Sequence, residues 1–180
     1  MKKKFLPVAA LVLAFALLGG CGSVGDGLNS PASPQTITSS ISSLSLEFPS
    51  SWQEIDLNTG SSIEIARLAK EQFLLVREEP SVYFGDGYTL DEYAELVKAL
   101  IETSAEAPES SATTDIVING IPAKQFEQSC IVEKVKLKYL ITCFEHDGTF
   151  YRFSAWSLLS LYDEAKPVFE GILETITFDS

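Results

Sequence analysis

The stretch DIVINGIPAKQF, running from Asp115 to Phe126, decides the fold of this chain. Two short apolar runs flank the dipeptide Asn119-Gly120, and both of these residues tolerate the positive φ angles of a two-residue hairpin turn. The turn predicts an antiparallel hairpin whose register places Asp115 opposite Lys124. The middle of the chain is therefore expected to form antiparallel β-sheet.

A second turn signal, Asp147-Gly148, joins two longer strand-like runs. The register that this turn predicts pairs Phe144 with Tyr151. One face of the resulting ribbon is mostly apolar and the other is about half apolar. We therefore expect a sheet that is covered on one face and partly covered on the other.

Two helices are predicted beside these strands. The first begins with a capping box at residues 89–92 and continues as an apolar stripe to about Ser104. The second covers Tyr162–Thr175, with Pro167 either near the start of its main part or at a kink. The segment AEAPESSATT after the first helix is expected to be a solvated loop, and TITFDS closes the chain as a short strand. Runs of strands without alternating crossovers predict an α+β fold, an antiparallel β-sheet flanked by α-helices.

The N-terminus has the features of a lipoprotein signal. Lysines at positions 2–4 precede Phe5–Leu18, an uncharged run shorter than the roughly 20 apolar residues of a membrane-spanning helix. The run ends in LGGC, residues 18–21, which resembles the lipobox of bacterial lipoproteins. The resemblance implies that residues 1–20 are a signal peptide and that Cys21 receives a diacylglycerol thioether. The alternatives are a plain signal peptide with an unmodified cysteine and an uncleaved anchor.

Composition divides the rest of the chain in two. Residues 21–43 are rich in Ser, Gly and Pro, so the segment after Cys21 is expected to be a flexible tether. Residues 44–180 have the length of a single globular domain. Without residues 1–20 the chain has 10 basic and 25 acidic residues, a net charge of −15. Such a surface repels phosphates, which excludes nucleic acid as a partner.

Three motifs in residues 44–180 resemble the PsbP-like superfamily, which includes the extrinsic PsbP subunit of photosystem II and bacterial envelope proteins of the DcrB type. Phe48, Pro49 and Trp52 match the aromatic-Pro-x-x-Trp segment that opens the family's domain. The stretch INGIPA, residues 118–123, is similar to the family's Asn-Gly-x-x-Ala hairpin, and the C-terminal helix ends in an Ile-Thr-Phe strand. The resemblance implies an α/β/α sandwich that binds partners and has no shared active site.

The sequence contains no recognisable catalytic set, and neither a cofactor nor a metal is expected. His146 is the only histidine, and adjacent strand residues point to opposite faces, so Glu145, His146 and Asp147 predict a polar hairpin end rather than a metal site. Cys130 and Cys143 lie within apolar strand sequence, where they form either a disulfide or two buried thiols. The disulfide requires the two strands to pair about a centre between positions 136 and 137.

The stretch YFGDGY just before the first helix is the candidate partner-binding loop. Its candidate residues are Tyr83, Phe84, Asp86 and Tyr88. Aromatic side chains on a glycine-rich loop are typical of a recognition surface, but the same side chains also serve as core anchors of the loop itself. Both interpretations stay open at the level of sequence.

These observations predict a membrane-anchored lipoprotein that faces outside the cytoplasm, on the cell membrane or the outer membrane. Its lipid on Cys21 holds an acidic, non-catalytic binding module that is an accessory to another envelope protein. The alternative is a small-molecule or cation-binding lipoprotein linked to uptake, which the net charge of −15 favours. A hydrolase would need a nucleophile and a base that converge, and the sequence offers no such pair.

Overall fold

The computed structural model describes residues 33–179, and two antiparallel sheets and two helices make up this part of the chain. The helices are α1 (Leu90–Ser104) and α2 (Tyr162–Leu173). The strands are β1 (Gln35–Thr38), β2 (Leu44–Phe48), β3 (Gln53–Glu54), β4 (Ile63–Arg67), β5 (Gln72–Pro80), β6 (Glu106–Ser110), β7 (Thr114–Ile118), β8 (Ile121–Val132), β9 (Val135–His146), β10 (Thr149–Leu158) and β11 (Thr177–Phe178).

The large sheet is built around three long central strands. Its order is β3-β4-β5-β10-β9-β8, and β6 and β7 both pair with β8 at one edge. The small sheet has the order β1-β2-β11. Every strand pair is antiparallel, and the α+β fold class predicted from the sequence is confirmed.

Both predicted hairpins form with the predicted registers. β7 and β8 meet at Asn119-Gly120, where φ is +46° and +84°, and Asp115 lies opposite Lys124. β9 and β10 meet at the second turn, and the cross-strand partner of Phe144 is a tyrosine, as expected. These two registers follow from the turn residues alone, because a two-residue loop leaves no freedom in the alignment of its strands.

Each face of the large sheet carries a helix. The core beneath α2 contains Phe153 from the sheet and Phe169 from the helix. The ring of Phe169 meets that of Trp52 edge-on, with centroids 6.1 Å apart. Beneath α1, Tyr93 stacks on Phe150 with ring centroids 4.6 Å apart. α2 contains Pro167, so the helix begins at Tyr162, five residues before the proline, rather than at the proline itself. None of the helices within residues 33–179 is long and apolar enough to cross a membrane.

The cysteine bridge that the sequence left open is absent, because β8 and β9 pair in a different register. Glu133 and Lys134 form a tight turn with φ of +49° and +71°, although neither is glycine or asparagine. Cys130 therefore lies opposite Leu137 rather than opposite Cys143. Both cysteines are buried free thiols, which is the second of the two alternatives that the sequence left open.

Two segments that were expected to be irregular are strands. Gln35–Thr38 pairs with β2 and Ile37 packs against the core, so the domain begins before the predicted boundary at Leu44 and includes residues 35–43 of the expected tether. Residues 106–110, expected in a solvated loop, form β6. The reason lies in β8: β7 covers only its first half, and β6 pairs with the half that is left. Cys21 and residues 1–20 lie outside the described residues.

Candidate functional site

The candidate partner-binding loop connects β5 to α1 and begins with a single turn of 3-10 helix at residues 81–83. The turn is held on both sides by the backbone: the Ser81 N–H donates to the Gly148 carbonyl at 2.9 Å, and the Phe84 N–H donates to the Ser81 carbonyl at 3.0 Å. Gly85 and Gly87 adopt φ of +99° and +78°, which other residues rarely tolerate. Backbone hydrogen bonds thus hold residues 81–84, and the two glycines provide the turns that lead into α1.

Phe84 and Tyr88 anchor this loop to the core. Their rings stack with centroids 5.2 Å apart, and Phe84 meets Tyr93 and Phe150 edge-on at 5.4 and 5.7 Å. Both side chains are half-buried against the core beneath α1. These two residues follow the second of the interpretations that the sequence allowed.

Tyr83 points the other way. Its side chain is 78% exposed, and that of its neighbour Val82 is 76% exposed. Asp86 is exposed as well. The loop thus divides into two inner aromatics that fasten it and an outer pair, Val82 and Tyr83, which we call the exposed pair. The sequence did not single out Val82, because one valine outside any apolar pattern does not indicate a binding surface.

The surroundings of the exposed pair are acidic. Residues 78–97 contain six acidic side chains and no lysine or arginine. Lys124 on β8 bridges Asp91 at 2.5 Å and Asp115 at 2.6 Å, and these hydrogen bonds raise its pKa. At the start of α1, hydrogen bonds from Thr89 lower the pKa of Glu92, so this carboxylate stays charged. The segment that carries the loop, residues 78–97, therefore has a net charge of −6.

The remaining sequence candidates lie apart from this surface or in the core. His146 stacks on Phe178 with ring centroids 3.8 Å apart, and its Nε2 lies 3.6 Å from the carboxylate of Asp147. Within residues 33–179 no group of three or more His, Cys, Asp or Glu side chains is placed to hold a metal ion. Burial raises the pKa of both Cys130 and Cys143, the latter to about 12, so neither thiol is a ready nucleophile.

An open groove lies on the opposite side of the molecule, between α2 and the small sheet. Its volume is about 460 Å³. Its walls are mainly apolar, with Phe48, Val168 and Ile172, and the polar atoms at its rim come from Glu47 and Thr175. No motif in the sequence indicates this groove, because its walls come from segments more than 100 residues apart in the chain.

Comparison with known proteins identifies the fold and no more than the fold. No protein-family model and no curated protein matches the sequence. The structure is similar to cyanobacterial PsbP (CyanoP) from Synechocystis sp. PCC 6803, with a TM-score of 0.62 and 18% identity over 90% of this chain and 99% of that one. It is also similar to LpqN, a protein involved in cell envelope biogenesis of Mycobacterium tuberculosis, with a TM-score of 0.58 and 13% identity over 84% of this chain and 87% of that one.

A third relative in structure comes from a eukaryote. The Ran-binding protein Mog1p of Saccharomyces cerevisiae aligns with a TM-score of 0.56 and 6% identity, over 82% of this chain and 96% of that one. The three proteins share the arrangement of sheet and helices with this chain despite identities of 6% to 18%. The chain therefore has the PsbP-like fold.

Proposed function

We propose that this protein is a membrane-anchored lipoprotein outside the cytoplasm that acts as a non-catalytic binding module for another envelope protein. The exposed pair, Val82 and Tyr83, is the proposed contact. One observation carries the proposal: two adjacent apolar side chains, 76% and 78% exposed, sit on a turn held by backbone hydrogen bonds and an aromatic anchor.

This arrangement suits binding because backbone hydrogen bonds and aromatic stacking already hold the loop in the free protein, so its ordering on association loses little conformational entropy. A rigid, amphipathic tyrosine offers a large contact area with little loss of side-chain entropy on association. Aromatic residues of this kind are enriched at the centres of protein interfaces. The loop needs no rearrangement to present them.

The acidic residues of segment 78–97 indicate the chemistry of the partner. Residues 78–97 carry six acidic side chains without a base, so a complementary surface has an apolar centre surrounded by lysine or arginine. Complementary charge of this kind accelerates association and makes it sensitive to salt. We therefore expect a basic envelope protein rather than a nucleic acid or an anionic lipid surface.

The proposed location rests on the lipobox-like stretch that ends at Cys21. Two acyl chains of a diacylglycerol provide stable attachment to a membrane, whereas one chain is marginal. The structural similarity to LpqN, itself involved in cell envelope biogenesis, supports an envelope setting. The similarity to a Ran-binding protein supports the use of this fold for binding other proteins.

A second candidate function uses the groove beside α2. Its mainly apolar walls and volume of about 460 Å³ fit a small molecule, and this is the alternative of a ligand-binding lipoprotein linked to uptake. A thermal-shift screen of the full chain with metabolites and metal ions tests it. A ligand whose stabilising effect is lost in Val168→Glu but kept in Tyr83→Ser would place binding in the groove.

The main proposal is tested by crosslinking in the protein's own membranes. A photoreactive amino acid replaces Tyr83 in one version and Leu68, which is 54% exposed next to β4, in a matched control. We expect one basic envelope protein to be crosslinked from position 83 and not from position 68. With the purified partner, Val82→Ser and Tyr83→Ser should weaken binding and Leu68→Ser should not.

The anchor has its own control. Metabolic labelling with palmitate should mark the wild type and not Cys21→Ala, and the crosslink should weaken when the protein is no longer held at the membrane. Equal crosslinking from positions 83 and 68, or binding that the exposed-pair variants leave unchanged, would reject the exposed pair as the contact.

A further inference from the structure

Two arginines lie side by side in the face of the large sheet that α1 partly covers. Arg77 in β5 and Arg152 in β10 are direct cross-strand partners. Directly opposed side chains of an antiparallel pair have Cβ atoms only about 4.5–5.5 Å apart. Two of the three arginines in the sequence are therefore placed together, and Arg152 is only 6% exposed. Buried charges are rare unless each one is paired.

These guanidinium groups are short of partners. The Nε–H of Arg77 and the Nε–H of Arg152 are both buried without a hydrogen-bond acceptor. Arg77 donates from Nη2 to the Thr59 carbonyl, but neither arginine forms an ion pair with any residue in 33–179. A guanidinium has five N–H donors, and among the described residues the bond to Thr59 is the one protein hydrogen bond that the two side chains make.

The two carboxylates nearest to the pair are engaged elsewhere. Glu79 accepts a hydrogen bond of 2.7 Å from the hydroxyl of Tyr93. Glu64 accepts hydrogen bonds from the backbone N–H groups of Leu57 and Thr59 in the loop between β3 and β4. Both carboxylates influence Arg77 through space, yet its pKa is lowered, first by burial and then by the charge of Arg152. The local environment thus lacks an anion in contact with the two cations.

We propose that Arg77 and Arg152 form a binding site for the carboxylate of a small organic acid. The planar fork of a guanidinium matches a carboxylate with two parallel hydrogen bonds, and two adjacent forks supply more donors than one carboxylate needs. A singly charged group is favoured over a doubly charged phosphate for two reasons. Glu64 and Glu79 act on Arg77 through space, and the chain without residues 1–20 carries a net charge of −15.

The proposal goes beyond the contact with an envelope protein and does not depend on it. The arginine pair lies within the sheet, whereas the exposed pair lies on the loop before α1. The site also differs from the groove beside α2, which contains neither arginine. A failure at the arginine pair would leave the proposed partner-binding surface unaffected.

The small number of arginines makes a direct test practical. The full chain, purified in a non-ionic detergent with ¹⁵N-labelled arginine, should give three Nε–H signals, which single Arg→Met variants assign. Sodium acetate is then titrated against sodium chloride at equal ionic strength, with sodium phosphate as a third arm. We expect acetate to shift the signals of Arg77 and Arg152 and to leave that of Arg67, on β4, in place.

The variants separate binding from a structural role. Arg152→Met should remove the acetate response while keeping or raising the melting temperature without ligand, because it removes an unpaired buried charge and its repulsion with Arg77. Arg67→Met should keep the full response. Arg152→Lys, which keeps the charge but loses the fork, should bind acetate about tenfold more weakly, and it keeps the test valid if the methionine variant does not fold.

Three outcomes would overturn the proposal. The first is an acetate response no larger than that of chloride. The second is a response to phosphate alone, which contradicts a carboxylate site. The third is an Arg152→Met protein that melts earlier than the wild type and still shows the acetate shift at Arg77, which assigns Arg152 a purely structural role.

Discussion

Replacing Phe84 with alanine should destabilise the protein by about 2–3 kcal/mol, and replacing its neighbour Tyr83 should cost less than about 0.5 kcal/mol. Truncation of a fully buried phenylalanine costs about 3–5 kcal/mol, and Phe84 is partly exposed, so the loss is smaller, about 2–3 kcal/mol. This figure includes the contacts of its ring with three aromatic neighbours at 5.2–5.7 Å. Tyr83 is 78% exposed and has no comparable packing to lose.

Urea unfolding of the full chain in non-ionic detergent, followed by tryptophan fluorescence, measures this difference. With a typical dependence of about 1–3 kcal/mol per molar urea, Phe84→Ala should lower the midpoint by about 1–2 M while Tyr83→Ala leaves it nearly unchanged. Phe84→Leu is the matched control, because it keeps most of the apolar volume and should lose roughly half as much stability. Equal midpoints for the alanine variants would refute the division of the loop into an anchor and an exposed pair.

Three further predictions concern the rest of the fold. Burial raises the pKa of Glu127, but hydrogen bonds from two lysines outweigh it, so the pKa is lowered overall. The stability that this carboxylate contributes is therefore present above its unfolded pKa of about 4.3 and is lost as the pH falls through the lower folded value. In urea titrations, the roughly 1 kcal/mol cost of Glu127→Gln at pH 7 should therefore decrease as the pH is lowered below about 4. In Cys21→Ala, which removes the third cysteine of the chain, Cys130 and Cys143 should react with maleimide only in denaturant, and labelling of this variant in its native state would contradict their burial. Gly120→Ala should cost about 1 kcal/mol through φ of +84° alone, since no atom lies within 4 Å of the new Cβ, and an unchanged melting temperature would contradict this.

The parts of the fold that were predictable are those in which a few adjacent residues carry the information. Asn119-Gly120 determines a register, because positive φ at two successive positions leaves one way for the strands to meet. The capping box at the start of α1 is equally local, and the structure contains both of its hydrogen bonds between Thr89 and Glu92. Local chemistry of this kind can be read without a structure.

The errors arise where pairing depends on distant residues. The turn at Glu133 and Lys134 has no favourable turn residue, and it forms because ten pairs between β8 and β9 hold the strands together around it. Strand β6 forms because β8 is longer than β7, a fact that the sequence of residues 106–110 does not carry. Of the candidate loop, the sequence named the aromatic residues but not which of them face outward.

The arginine pair was invisible for the same reason. Arg77 and Arg152 are 75 positions apart, and each reads as an ordinary charged residue on a half-exposed strand face. Only the pairing of β5 with β10 brings them together. Signals for binding sites of this type lie in the topology of the sheet and not in a motif.

The arrangement of the strands has a consequence for crowding. The three longest strands, β8 to β10, lie inside the large sheet, whereas its outermost strands are β3, with two residues, and β6 and β7, with five residues each. β6 includes Pro108 and two glutamates. The small sheet ends in strands of four and two residues. The unpaired backbone groups of an edge strand can hydrogen-bond to a strand of another molecule and so start aggregation. Short, charged or proline-containing edge strands disfavour such pairing. Under the proposed membrane anchoring, copies are confined to two dimensions and collide often, and these short edge strands offer each neighbour little backbone on which to start an aggregate.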